Sequence, residues 1–438
     1  MKSVKQSTLI NYLCEDQQVF YASEDETIVV NSEDAKLFEK LEKYDNNIKV
    51  TFKEGIPFLE NIVRICSHCG KRHAVKHDKK ERILHFFEYS DVKIKVQRYL
   101  CKKCGKTFMT NLSPIVPKFR NFTNDFKTKL INLIRETEVT LFGAKFTLEK
   151  EYDVSVSHQT IENYIIEDSK HLEFDRLACK GYLLFDVEWV KIKGKWKYRF
   201  ALFDMGENRI IADKIYDSEN NENIYEFLKE STKNITVKCI TTDLAKNYRP
   251  ILSKLGYNQQ FCLFHTKMII NKYINNKLKR LNKSRDNVEK KVGKIEFDSN
   301  NDKLISLINK YDSYTNEINK YERLKQELYE MLDEKDIDKT RYLLNKILKK
   351  INNYKGQIKS FIKNRLQDQF MDFNRWKKDE HISRTTSPLE NAFSKTMSKK
   401  YKRKYRTKKG IMARIYLNEE RWEDNQKRRN YYKKQKPT

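Results

Sequence analysis

The chain has 438 residues, enough for about two to four domains, and its 89 lysines and arginines outnumber 61 aspartates and glutamates to give a formal net charge of +28. An AT-rich genome would inflate lysine, but it would not cluster the basic residues, so we expect a polyanionic partner, most simply nucleic acid. No run of about 18 apolar residues exists, which excludes a transmembrane helix. Residues 1–18 lack the apolar core of a signal peptide, so we expect a cytosolic protein with reduced cysteines.

Two cysteine pairs dominate the first quarter of the chain. Residues 1–60 are predicted to be a small helical or α/β segment whose role the sequence does not give. Residues 61–112 contain "CSHCG" at 66–70 and "CKKCG" at 101–105, separated by a segment rich in strand formers. Four thiolates close a tetrahedral shell around Zn²⁺ and leave no open position, so we predict a structural zinc ribbon. Its ligands are Cys66, Cys69, Cys101 and Cys104.

Residues 113–175 are predicted to be a helix-turn-helix. A linker with two prolines, 113–122, precedes apolar residues at helical spacing that predict helices over 123–137, 140–150 and 157–167. Ser157 is expected to cap the third helix, whose outward side chains would then meet base edges. These side chains are His158, Gln159, Thr160 and Asn163. A plain three-helix bundle is the alternative.

Residues 176–265 change character. Strand-like and helical runs follow the order β-β-β-α-β-α-β, which predicts a mixed sheet with helices on its faces. Asp186 lies inside the first strand and Asp243 ends the fourth. If these strands are neighbours, the two carboxylates meet at a switch point in strand order and repel unless divalent cations neutralise them. We read Asp204 as a turn residue. Glu188 shares the face of Asp186, as an accessory ligand or, by preference, in a salt bridge at the rim.

The C-terminal part begins with a helical insertion. Residues 266–380 contain no proline and repeat leucine, isoleucine and tyrosine at helical spacing, as a solvated arm or an antiparallel hairpin would. The stretch "RTTSPLENAF" has two interpretations. Either Ser387 and Glu390 form a capping box at the start of a helix, or Glu390 is part of a metal site. The region 381–438 continues as a basic, tyrosine-rich stretch suited to phosphate contact and base stacking. The predicted contacts there are Lys399, Lys400, Lys402, Arg403, Lys404 and Arg406.

These pieces together resemble an insertion-sequence transposase of the DDE type, from the Mutator-related group with an N-terminal zinc ribbon and helix-turn-helix. The cysteine pairs, "LLFDVEW", "CITTDLAKNYRPIL", "FCLFH" and "SPLENAFSK" carry the resemblance, which covers about residues 61–410. It implies an α/β multidomain fold whose catalytic part is a ribonuclease-H-like mixed sheet with a long helical insertion. Residues 1–60 stay outside it.

The resemblance also implies a chemistry. The catalytic residues would be Asp186, Asp243 and Glu390, holding two Mg²⁺ or Mn²⁺ ions, with Cys262 and His265 as accessory residues. His265 would contact the scissile strand, or only pack against Cys262. The expected reactions are hydrolysis of DNA and attack of the freed 3′-OH on target DNA. The expected partners are the double-stranded terminal repeats and target DNA, and no membrane is expected. The protein is expected to act as a homodimer on paired ends. Its expected location is the cytoplasm of a prokaryote, in association with the nucleoid.

Two other functions remain open on the sequence alone. A nuclease or resolvase of the same fold would cut without strand transfer, and paired terminal repeats would not flank its gene. A zinc-ribbon DNA-binding regulator derived from a transposase would be non-catalytic. Such a regulator is expected to have lost a carboxylate, whereas all three candidates are present.

Overall fold

The structure is a computed structural model that falls into two units, Met1–Asp168 and Ser169–Thr438, called here the N-terminal and C-terminal units. None of the helices it describes has the length and apolar character needed to cross a membrane. The described residues are 17–23, 26–31, 36–37, 40–41, 43–53, 56–87, 89–169, 179–294, 302–397 and 406–435.

The N-terminal unit contains a hairpin and a larger sheet that holds both cysteine pairs. In the larger sheet the strand order is β3-β4-β6-β5, with β7 on β6, and only the β4–β6 pair is parallel. Strands β3 and β4 lie within the first 61 residues, so the sheet begins upstream of the cysteines. The strands are β1 (Gln17–Ser23) and β2 (Glu26–Asn31) of the hairpin, then β3 (Ile48–Lys53), β4 (Ile56–Asn61), β5 (Ala74–Phe86), β6 (Ser90–Cys101) and β7 (Thr107–Met109).

Three helices follow, as the sequence predicted. Each begins after a hydroxyl side chain that accepts a backbone N–H, which satisfies one free donor of the first turn. The N-cap of the third is Ser157, whose Oγ accepts from the N–H of Thr160 at 3.1 Å. The apolar residues Ile161, Tyr164 and Ile165 of this helix are buried. The helices are α1 (Asn124–Thr137), α2 (Leu141–Glu151) and α3 (His158–Ser169).

The C-terminal unit is built on a five-stranded mixed sheet of order β10-β9-β8-β11-β12. The pairs β10–β9 and β9–β8 are antiparallel, whereas β8–β11 and β11–β12 are parallel. The predicted element order is observed, and the first strand does pair with the fourth, which is the condition on which the meeting of Asp186 and Asp243 depended. The elements are β8 (Tyr182–Ile192), β9 (Lys195–Asp204), β10 (Arg209–Tyr216), α4 (Asn221–Ser231), β11 (Cys239–Thr242), α5 (Tyr248–Lys254) and β12 (Gln259–Phe261).

The two faces of this sheet are covered by different helices. Alternate side chains of β8 point to opposite faces. Leu183 and Phe185 pack with α4 and α5, whereas Leu184 packs with α11 (Ser387–Thr396). Asp186 and Glu188 share the face of Leu184, so the face on which α11 packs is also the face of both acidic side chains.

The insertion after the sheet is helical, as predicted, and its first two helices form an antiparallel hairpin. Lys267, near the start of the first, pairs with Asp333 at the end of the second, and their apolar faces belong to one buried cluster. The helices are α6 (Leu263–Val292), α7 (Asp302–Asp333), α8 (Ile337–Lys349), α9 (Gln357–Phe361) and α10 (Phe370–Asn374).

The end of the chain is not a free basic tail after residue 407. It forms α12 (Lys408–Gln435), with Ile411 and Ile415 buried against the sheet. Those apolar positions were hidden among lysines and arginines in the sequence. Arg199 of β9 is fully buried and ties α12 to the sheet, because its guanidinium donates to Glu188, Asp213 and Glu419.

Candidate functional site

The four cysteines of the two CxxC pairs form one cluster. Their sulfur atoms all lie within 4.8 Å of one another, with Cys66 and Cys104 at 3.7 Å and Cys69 and Cys101 at 3.6 Å. Each pair sits on a tight turn that ends in a glycine of positive φ, Gly70 or Gly105. The N–H of that glycine donates to the carbonyl of the first cysteine at 2.9 Å. The cluster can hold a metal ion such as zinc.

The thiol chemistry of this cluster favours a metal. Backbone N–H groups of Cys104 and Lys103 donate to the Cys101 sulfur and, against the effect of burial, lower the pKa of that thiol to about 6. The thiolate, not the thiol, is the metal ligand. Against a backbone hydrogen bond from Lys71, burial and the neighbouring sulfur atoms raise the pKa of Cys69 to about 11, so Cys101 is shifted toward the metal-binding form and Cys69 away from it.

Cys101→Ser is expected to remove bound zinc and to unfold the cysteine turns, because three thiolates bind the ion less tightly than four. Zinc per chain, measured by mass spectrometry after gel filtration, should fall from about one to near zero. Cys179→Ser removes a half-buried thiol outside the cluster and should leave zinc unchanged. If Cys101→Ser retained full zinc, the cluster would not be the metal site.

The register of β8 and β11 brings two acidic residues level. Cys239 pairs with Tyr182 and Thr241 with Leu184. Asp243 directly follows β11, and the same register continued by two residues would bring it opposite Asp186, in agreement with the effect of its charge on that carboxyl group. Neighbouring strands are about 4.8 Å apart, so the two carboxyl groups share the crevice at the end of β11. This crevice lies where the chain order reverses between β8 and β11, as ligand sites do in open α/β sheets.

Glu390 reaches the same crevice from the first turn of α11. The segment before this helix is fixed to the ends of β11 and β12: Thr241 Oγ1 donates to the Ser383 carbonyl at 2.9 Å, and the Leu263 N–H donates to the Arg384 carbonyl at 2.8 Å. Leu389 then packs on the sheet in the same cluster as Leu184.

The predicted capping box at Ser387 is wrong. The N-cap is Thr386, and no side chain caps the helix. Thr386 Oγ1 instead donates to Glu390 Oε1 at 2.8 Å, so the carboxylate is held by a hydroxyl and not by a backbone N–H. Pro388 therefore falls at the second helical position, one later than the box requires. Glu390 therefore does not cap the start of the helix.

Electrostatics couples the three carboxylates. Burial, the largest cause, raises the pKa of Asp186 to about 7, and the charges of Asp243 and Glu390 raise it further against a backbone hydrogen bond from Val187. Among the described residues, no lysine or arginine forms an ion pair with any of the three. Carboxylates held this close favour a group that neutralises their charge, as a divalent cation would.

Each carboxylate also has one oxygen fixed. Asp186 Oδ1 accepts from the Val187 N–H at 2.8 Å, and Asp243 Oδ1 accepts from the Ala245 N–H at 2.9 Å. Oε1 of Glu390 accepts from the Thr386 hydroxyl. The residues thus fit Mg²⁺ or Mn²⁺, which take oxygen ligands. Their ligand atoms do not all lie within 4.8 Å of one another, as the sulfur atoms do, so the three are spread wider than one ion's closed shell.

His265 and Cys262 flank the crevice. Cys262 directly follows β12 and is fully buried, and His265 lies in the first turn of α6. A hydrogen bond with Cys262 is the largest cause that raises the pKa of His265, to about 9, and the charges of Glu390 and Asp243 act in the same direction. Its Nδ1 is buried and, among the described residues, has no hydrogen-bond partner. This pKa favours the cationic imidazole at neutral pH, and His265 lies close enough to Glu390 and Asp243 for their charges to act on it.

Three further residues change the picture given by the sequence. Glu188 is not in a rim salt bridge: it is buried and bonds to Arg199 at 3.1 Å. Asp204 is buried, and its Oδ2 accepts from the Glu207 N–H as a turn residue would. Glu219 was missed. Burial raises its pKa, as does the nearby charge of Asp243, and no pattern in its polar loop marks it.

The predicted DNA-contact residues are only partly described. On α3, His158, Gln159 and Asn163 are exposed, whereas Thr160 is half-buried and its hydroxyl bonds to Ser157. Arg406 is exposed. Five residues of the predicted basic stretch lie outside the described residues: Lys399, Lys400, Lys402, Arg403 and Lys404.

No model of a known protein family matches the chain. A simian T-cell lymphotropic virus intasome in complex with PP2A regulatory subunit B56 gamma is 11% identical over 30% of this chain and 51% of that chain, with a TM-score of 0.17, from which no likeness of fold follows. The "Insertion element ISM1 uncharacterized 48.3 kDa protein" of Methanobrevibacter smithii is 25% identical over 370 residues, covering 82% of both chains. Over most of its length, the chain is thus similar to a protein of an insertion element.

Proposed function

We propose that the protein is a DNA transposase that binds the ends of its own mobile element and catalyses metal-dependent cleavage and strand transfer. The observation that carries the proposal is the meeting of Asp186, Asp243 and Glu390 at one crevice, from segments 57 and 147 residues apart in sequence (243 − 186 and 390 − 243). Similarity to an insertion-element protein supports it. The mixed sheet, with three antiparallel strands followed by two parallel ones, supports a ribonuclease-H-like catalytic fold.

The three carboxylates would hold two Mg²⁺ or Mn²⁺ ions, which when bound activate a water and stabilise the leaving 3′-oxygen. Thr386 keeps Glu390 turned toward the crevice, and the backbone bonds of Asp186 and Asp243 fix one oxygen of each, so their free oxygens are oriented before metal arrives. His265, protonated at neutral pH, is placed to pair with a DNA phosphate. Hydrolysis would release a 3′-OH, and attack of that oxygen on a target phosphodiester would form the new P–O bond as the old P–O bond breaks.

DNA binding would come from other parts of the chain. The exposed amides of Gln159 and Asn163, which bond to each other at 3.1 Å, suit the major-groove edge of adenine. The two turns that carry the four clustered cysteines would keep the preceding sheet rigid without taking part in chemistry. The net charge of +28 would supply the sequence-independent attraction to phosphate.

Glu390→Gln is expected to abolish Mg²⁺-dependent cleavage of DNA carrying the ends of the element that encodes the chain. The amide still accepts from Thr386, so the melting temperature of the metal-free protein should change by about 1 °C or less, while a charged ligand is lost. Glu380→Gln, an exposed residue ten positions earlier, should cleave normally. Survival of cleavage in Glu390→Gln, together with a lower melting temperature, would place the third carboxylate elsewhere.

A further inference from the structure

The β8–β9 hairpin carries an aromatic corner that the proposed chemistry does not use. Trp189 is 55% exposed and Trp196 is 44% exposed. Their ring centroids lie 6.0 Å apart at 62°, and Trp189 lies 5.6 Å from Tyr198 at 69°. At such steep angles the rings meet edge to face and are not stacked on one another, and about half of each tryptophan side chain stays exposed. Large exposed aromatic side chains side by side are uncommon on a monomer and mark interaction sites.

The hairpin projects beyond the rest of its sheet. Strand β11 pairs with β8 only at residues 182–184, and β10 pairs with β9 no further than Tyr198. The turn of Lys193 and Gly194 has positive φ at both residues, 48° and 78°, as in a tight two-residue hairpin. The aromatic corner therefore stands on a short, rigid, two-stranded ribbon. By strand alternation, it lies on the face opposite Asp186.

Lysines surround this corner. Lys191 Nζ lies 5.4 Å from the centre of the Trp196 ring, and Lys193 and Lys195 are exposed at the turn. Within the described part of the chain, no carboxylate pairs with any of these three lysines. Lys197, by contrast, is neutralised by Asp217. Exposed aromatic side chains next to unneutralised ammonium groups match a nucleotide, which offers a flat base beside a phosphate.

We propose that this hairpin tip is a stacking platform for unpaired nucleotides of DNA. Stacking needs an open base face, which a paired and stacked duplex does not expose, so the platform would select single-stranded segments. A second copy of this chain is a poorer occupant, because like lysines would face each other. The source of the unpaired DNA, an element end opened around cleavage, rests on the proposed function; the binding itself does not.

Trp189→Leu/Trp196→Leu keeps apolar side chains in the hairpin and removes both large ring faces. With the full chain in buffer without Mg²⁺ or Mn²⁺, its affinity for an oligothymidine of about 12 nucleotides should fall about tenfold or more, since stacking contributes that much per base. Affinity for a hairpin duplex should change less than about twofold. Tyr342→Leu, which removes a 67% exposed ring elsewhere, is the matched control.

A second variant tests the proposal even if the tryptophan variant misfolds. Lys191→Gln/Lys193→Gln/Lys195→Gln keeps the tryptophans and should reduce the salt dependence of oligothymidine binding. Quenching of tryptophan fluorescence by oligothymidine, but not by duplex, is expected in the wild type. Equal losses for single strand and duplex in the tryptophan variant would overturn the platform. So would unchanged DNA binding with loss of a dimer, which would make the corner a self-association surface. Because no metal is present, neither result depends on cleavage.

Discussion

Asp186→Asn is expected to abolish metal-dependent DNA cleavage and, at the same time, to make the metal-free protein more stable at about pH 8. The loss of activity follows from removal of a charged ligand, and several kcal/mol of transition-state stabilisation correspond to a fall of about 10³-fold or more. Asp368→Asn, an exposed aspartate in the helical insertion, should cleave like the wild type.

The gain in stability has a definite pH dependence. The pKa of Asp186 rises to about 7 from the ordinary value of 3.8, mainly through burial. Between these values the folded protein keeps a proton that the unfolded chain has lost, so stability falls as pH rises through this window. Asparagine cannot ionise and escapes this loss. The difference should therefore be near zero below about pH 4 and reach roughly 2–4 kcal/mol above pH 7.

Urea unfolding in EDTA across pH measures this difference directly. Adding Mg²⁺ at pH 8 should then reverse the order, because the wild type binds the ion more tightly and gains more stability from it. Equal stability of the two proteins at every pH would mean that Asp186 is not desolvated in the folded protein. A variant that was less stable at pH 8 would mean that its carboxylate serves the fold.

The sequence predicted what depends on local periodicity and spacing. Strand-like runs joined by short polar turns located β8, β9 and β10, and the order of elements predicted a mixed sheet. The approach of Asp243 to Asp186 depended on the condition that β8 pairs with β11, as it does. The two CxxCG motifs predicted the cluster of four cysteines, because each pair sits on a tight turn and the glycine after it can adopt the positive φ that the turn requires.

The parts that stayed hidden depend on contacts between distant segments. The local sequence around Glu188 does not reveal that Arg199 is buried beside it, because the other partners of that guanidinium come from β10 and α12. Helix α12 itself was masked by lysines and arginines, although Ile411 and Ile415 have helical spacing. At Thr386 the difference from Ser387 is one residue, and contacts that fix this segment, such as that of the Thr386 N–H with the Cys262 sulfur at 3.5 Å, come from distant parts of the chain.

Arg199→Met is expected to destabilise the C-terminal unit by about 3–5 kcal/mol, the typical cost of removing one partner from a buried ion pair. The guanidinium donates to Asp213 at 2.7 Å and to Glu188 at 3.1 Å. Although burial opposes it, the charges of Asp213, Glu419 and Glu188 hold the pKa of Arg199 above its usual value. Without the guanidinium, these carboxyl groups stay buried and lose the cation that Arg199 supplied.

The neighbouring Arg209 provides the control. Its guanidinium pairs with Glu423 at 3.6 Å, with both side chains partly exposed, so Arg209→Met should cost less than about 1 kcal/mol. Urea unfolding can be followed by tryptophan fluorescence, because all four tryptophans lie in the C-terminal unit. A loss below about 1 kcal/mol for Arg199→Met would mean that water reaches the carboxylates.

The same network reaches the candidate site through α11. Arg199 Nη1 also donates to Thr396 Oγ1 at 2.9 Å, at the end of the helix that begins beside Glu390. Replacing all the charged partners together, as Arg199→Met/Glu188→Leu/Asp213→Leu/Glu419→Leu, should recover part of the lost stability, because well-packed apolar residues can substitute for a buried ion network. If stability returned but cleavage did not, the network would be needed to hold α11 in place and not only to stabilise the fold. Return of both would show that apolar packing alone positions Glu390.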